Sequence, residues 1–112
     1  MIDQDRRAEL TEEFGEEFLS ELTDAFWTDA WALIDFGVEA QINDDQVELR
    51  KVLHTLTGSA GNLGFSGISK AAEEANQALK RGVPPDFGEL QKIMLRTSAL
   101  ISGNNEPLAL SA

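Results

Sequence analysis

The only histidine of the chain, His54, lies in the stretch DQVELRKVLHTLTGSAGNLGF, residues 45–65, which also holds three of the nine glycines. A neutral imidazole is a good nucleophile toward phosphorus near pH 7, because an unperturbed pKa of about 6.5 leaves much of it unprotonated. At roughly 100° per residue, Leu49, Val52, Leu53, Leu56, Ala60 and Leu63 form one apolar stripe, the spacing of an amphipathic helix packed on a core. His54 points nearly the opposite way, toward water, and Gly58 and Gly61 share its face. Each glycine costs about 1 kcal/mol relative to alanine inside a helix. On an exposed face no core packing demands them, so the pattern predicts that something must come close to the backbone beside His54. Arg50 and Lys51, four and three residues earlier, fall on neighbouring parts of the same face. An arginine can pair with phosphate oxygens through two donors. Ser59 and Asn62 are candidates to hydrogen-bond near the site, with Asn62 further round the helix and open to a merely solvated reading, and Phe65, nearly in line with His54 at the helix end, reads either as core closure or as part of a docking surface.

HTLTGSAGNLG resembles the phosphorylation motif of histidine-containing phosphotransfer (HPt) domains, H-x-L-K-G-S-x-x-x-x-G. His54, Leu56, Gly58, Ser59 and Gly64 match it, and Thr57 stands where the family has a lysine. The helical pattern around the motif fits the family over residues 12 to 101. The resemblance implies an all-α, antiparallel up-down bundle in which His54, through an exposed Nε2, takes and gives a phosphoryl group. It implies response-regulator receiver domains as partners, with a hybrid histidine kinase as a further one. Such a receiver brings its own Mg2+, aspartate and cations, and no cofactor is expected on this chain. Gly58 and Gly61, with Phe65 in its docking reading, would then let the receiver's loops close over the imidazole. Arg50, Lys51 and Thr57 are the candidates for balancing phosphoryl charge, Arg50 ahead of the others. Lys70 on the following helix is a further cation that sequence cannot place.

Composition narrows the alternatives. A chain of 112 residues is one domain with one core, and 42% hydrophobic residues suffice for a folded bundle. Without cysteine there is no thiol chemistry and no disulfide framework, and a single histidine cannot build the common zinc sites. No Walker motif is present, so the chain does not use ATP as a kinase by itself. Twenty acidic against nine basic residues give a formal charge of −11, which repels nucleic acid and anionic lipid. No apolar run approaches the roughly 20 residues a bilayer requires, and the start MIDQDRRAELTEE is no signal peptide. A cytoplasmic monomer is the expectation.

The elements that must position His54 follow from caps and periodicity. Residues 1–10 read as an N-terminal extension that frays or adds a short helical turn. Thr11, followed by Glu12 and Glu13, reads as the N-cap of the first long helix, with a bend at Gly15. Leu19, Leu22, Phe26, Ala30, Leu33 and Gly37 give its core stripe, widened by Trp27, Trp31, Ile34 and Val38, with at least one tryptophan in the core. Asp45 with Glu48 starts the histidine helix and Asp86 with Glu89 the last one, both as capping boxes. Between them an alanine-rich helix through Ala71, Ala72, Ala75 and Ala78 ends at Lys80, Arg81 and Gly82. Short connections imply antiparallel neighbours, hence a four-helix bundle over residues 11–102 with a mobile tail over 103–112. Two functions compete: a stoichiometric phosphoryl carrier with no turnover of its own, and a degenerate HPt-like adaptor that binds a receiver or kinase without carrying phosphate. The second is kept open by Thr57.

Overall fold

Side-chain caps divide the chain where the sequence expects. Asp45 accepts the Glu48 N–H at 3.1 Å and Asp86 the Glu89 N–H at 3.0 Å, each satisfying one of the unpaired donors that open a helix. The computed structural model describes residues 2–102, and the tail expected over 103–112 lies outside the described residues. The helices are α1 (Gln4–Phe14), α2 (Glu16–Ile42), α3 (Gln46–Asn62), α4 (Ser66–Lys80) and α5 (Phe87–Ser102). No strand occurs among the described residues. The fold is the expected all-α bundle: α2 packs on α3, α3 on α4, α4 on α5, and α5 returns to α2.

The core is built from one stripe of each bundle helix. Ile34, Leu49, Leu53, Leu56, Phe65, Ile68 and Met94 are fully buried, and each such side chain contributes about 1.5–3 kcal/mol of burial. The stripe predicted for α3 is the buried one, with Leu63 only partly covered. Ala72 is buried, with Ala71 and Ala75 packed against the core, so α4 presents short side chains to α3 and the two helices make the most extensive contact in the bundle. Gly37 serves the same purpose on α2: a Cβ there would stand 2.5 Å from the Phe87 ring. Trp27 and Trp31 both pack partly buried against the core.

Three expectations change. The stripe of α2 runs Leu19, Thr23, Phe26, Ala30, Ile34, Gly37, Ala40. Leu22 and Leu33 are only half-buried, and Val38 is exposed. Thr23 tolerates burial because its hydroxyl donates to the Leu19 carbonyl at 2.8 Å. Thr11 is not an N-cap; it lies in the last turn of α1, and its hydroxyl donates to the Arg7 carbonyl at 2.9 Å. The cap is Asp3, whose carboxylate accepts the Arg6 N–H at 3.0 Å. Gly15, at φ 83° and ψ 157°, adopts a backbone conformation that is essentially closed to other residues, so what reads as a bend separates two helices.

Candidate functional site

α3 presents His54 to solvent from the middle of the helix, and no hydrogen bond or ion pair holds the imidazole among the described residues. Two neighbours flank its face. On one side, Ser59 and Asn62 line a groove against Leu22, Ala25 and Asp29 of α2. On the other, Ser69 of α4 donates its hydroxyl to the Thr57 carbonyl at 2.8 Å. At 100° per residue, Lys51 lies on the α2 side of His54, while Arg50 and Thr57 lie on the α4 side. The imidazole thus stands on a ridge between two valleys.

The candidate charge partners divide accordingly. Arg50 and Lys51 are exposed, and neither is engaged in an ion pair among the described residues. Their guanidinium and ammonium groups can swing toward a group on His54 from either side. Thr57 cannot substitute for a cation, and its hydroxyl donates to the Leu53 carbonyl at 2.8 Å. It has no proton to offer a phosphoryl oxygen unless it gives up that bond. Lys70 is exposed, near the start of α4 and next to Ser69, whose side chain lies against Thr57 and Gly61 of α3.

The docking candidates fare differently. Gly58 is exposed, and nothing lies within 4 Å of the position its Cβ would take. Its helix-propensity cost therefore has no cause inside the fold. Gly61 is also exposed, but its missing side chain has an internal reason: a Cβ there would meet Ser69 Oγ at 3.1 Å, so glycine lets α4 approach α3. Phe65 is a correction. It is 0% exposed, wedged between Phe26 at 5.0 Å and Trp27 at 5.3 Å between ring centroids, and it closes the core. The phase of α3 does not extend to it, because the helix ends at Asn62 and the following turn redirects the chain inward.

The end of α3 is held by residues the sequence did not single out. Arg7 donates to the Leu63 carbonyl at 3.0 Å, reaches Thr23 Oγ1 at 3.5 Å and lies over the Phe65 ring at 5.0 Å. Arg6 donates to the Asn62 carbonyl at 3.0 Å. Two cations thereby meet carbonyls at the negative end of the helix dipole. Burial lowers the pKa of the Arg7 guanidinium from its ordinary value, though an arginine remains charged throughout the physiological range. The Asp3 N–H donates to the Gly64 carbonyl at 2.7 Å. Gly64, at φ 83°, leaves room only for hydrogen, since a Cβ would lie 3.0 Å from Arg7 Cδ. The motif's last glycine thus has a backbone reason and a packing reason. The paired arginines following Asp3 were the available signal for this clasp, but nothing in their spacing names their acceptors.

Comparison with curated proteins and with solved structures finds no significant match. One family model, the Hpt domain, matches residues 8–102. That span runs from the middle of α1 to the end of α5 and carries His54 at the centre of its exposed helix face, and the chain belongs to the Hpt domain family.

Proposed function

We propose that this chain carries a phosphoryl group on His54 to and from receiver-domain aspartates of a two-component phosphorelay. Histidine phosphotransfer in phosphorelays is the general role of Hpt domains, which are carriers rather than catalysts. The observation that carries the reading for this chain is the pairing of a solvent-facing, unengaged His54 with open space over Gly58 one turn on. In the forward step, neutral Nε2 attacks the phosphorus of a receiver's aspartyl phosphate in line with the leaving carboxylate oxygen. The N–P bond forms as the P–O bond breaks, the carboxylate departs with its electron pair, and Nδ1 keeps its proton. The receiver supplies the Mg2+ and most of the positive charge that the equatorial oxygens require. This chain contributes the imidazole, clearance over Gly58, and Arg50 as the candidate substitute for the family's lysine.

The adaptor reading is favoured by one observation, the commitment of Thr57 to the Leu53 carbonyl in place of a cation. Mixing the purified protein with phosphorylated receivers separates the two. Acid-labile, base-stable phosphate that appears on the wild type and is absent from His54→Gln supports the carrier. Receivers that bind both forms equally and phosphorylate neither would establish the adaptor.

A further inference from the structure

The seam between α2 and α5, on the far side of the bundle from His54, carries apolar side chains that the fold leaves uncovered. On α2, Trp31 is half-buried, and Val38 and Ile42 are 39% and 78% exposed. On α5, Leu95 is 40% exposed. At 100° per residue these four stand on the outer side of Trp27 and Ser98, which line the two walls of a cavity in the seam. The two helices run antiparallel. Gly37 meets the Phe87 ring, and Asp24 and Trp27 share the cavity with Ser98 and Ile101, which sets Trp31 about level with Ile93 and Asp35 about level with Glu89. α3 packs on α2 and α4 and lies diagonally across the ring from α5, so the imidazole takes no part in this face.

Charge divides the face along the seam. The outer side of α2 bears Asp24 and Asp35, and α2 has no lysine or arginine. The outer side of α5 bears Lys92 and Arg96 beside Leu95. Arg96 reaches Glu89 at 3.8 Å, whereas Asp35 and Lys92 are in no ion pair among the described residues. One face therefore holds both halves of a complementary pair, and a two-fold axis along the bundle brings each half onto the other, α2 of one copy lying on α5 of the next, twice. Such an axis keeps every residue at its own level. Trp31 is then offset along it by only about 3 Å from Leu95 of the other copy, and Asp35 by about 5 Å from Lys92. An axis that laid α2 on α2 would set carboxylates against carboxylates. We propose that this face joins two copies of the chain in an isologous dimer, rather than the monomer expected from sequence, with Trp31 and Leu95 at the centre of the contact and Asp35 facing Lys92 at its edges. α5, of 16 residues, is about 24 Å long, and two helices side by side are about 20 Å wide. The face is thus smaller than the roughly 800 Å² that each partner buries in a standard interface, and the net charge of −11 on each chain works against pairing. The dimer is a weak one, with Kd in the micromolar range. It holds both copies of His54 outside the contact, and it stands whether or not His54 carries phosphate.

Sedimentation equilibrium tests the pairing. The wild type should pass from one chain to two between about 5 and 500 μM. Leu95→Glu, at an exposed site, should keep the circular dichroism of the wild type and stay monomeric over the same range. Asp35→Lys and Lys92→Glu each set like charges opposite one another at both edges of their own homodimer. Mixed one to one, the two variants restore opposite charges at both edges, so their heterodimer should be tighter than either homodimer by about tenfold or more. A wild type that remains monomeric at the highest concentration overturns the proposal. So does a dimer that Leu95→Glu leaves intact, and so does a mixture of the two charge variants that pairs no more tightly than each alone.

Discussion

Replacing Gly58 with alanine separates what this position does for the fold from what it does for a partner. The site is mid-helix and exposed, and an added Cβ meets nothing within 4 Å, so the substitution removes backbone entropy from the unfolded chain without introducing a clash. The gain is about 0.5–1 kcal/mol, which for a chain of this size raises the midpoint of thermal unfolding by roughly 2–6 °C. Gly61→Ala serves as the internal control. Its Cβ would press on Ser69 Oγ at 3.1 Å, and Ser69 is tied to the Thr57 carbonyl, so the same gain is offset and stability should barely change. Thermal and urea unfolding followed by circular dichroism measure both variants. Phosphotransfer from a receiver supplies the second readout: a methyl group beside His54 should slow transfer in Gly58→Ala even as the protein becomes more stable. A stabilised Gly58→Ala that transfers at the wild-type rate would show that the glycine does not exist for a partner. A destabilised one would show that the space above it is not open.

Two further substitutions probe the cations. Arg7→Ala removes a charged donor to the Leu63 carbonyl and the cover over Phe65; allowing for the solvent around the guanidinium, it should destabilise by about 1–2 kcal/mol, and hydrogen exchange should show the loss first in α1 and the turn at Gly64. Arg50→Ala, at an exposed position with no ion pair among the described residues, should leave the unfolding midpoint unchanged and alter the transfer rate or phosphohistidine lifetime severalfold; if neither moves, Arg50 does not replace the family's lysine.

The start and the core face of α3 were legible because an aspartate cap and a 3.6-residue period agree, whereas the reason for Gly61 was not, because the side chain it makes room for, Ser69, belongs to the next helix. The stripe of α2 was legible only approximately. Hydropathy selects Leu22 and Leu33, but the bundle buries Thr23 and Ile34 one position along, and a threonine that satisfies its own hydroxyl within the helix is invisible to any apolar count. α2 is also apolar over so much of its circumference that exposed Phe18 and Phe36 merge with the buried stripe in the sequence. Phe65 misled because the phase of a helix cannot be carried past its last turn. α1 was legible least, since its one buried side chain is Leu10 and it is held largely by polar contacts whose acceptors lie far along the chain. Ser69, which sets the spacing of α3 and α4, gave no signal beyond being a serine near a helix start.

The clasp formed by α1 has a kinetic meaning. The contacts of Arg6 and Arg7 with Asn62 and Leu63 span 56 positions of sequence, and an isolated helix of 11 residues is barely populated in water. α1 touches α2 through Arg7 and Thr23 and through Phe14 and Phe18, but its contacts to the end of α3 require the turn at Gly64 to have formed. The first helix in the chain is expected to gain its full stability only after α3 has formed, when its docking seals Phe65 beneath Arg7.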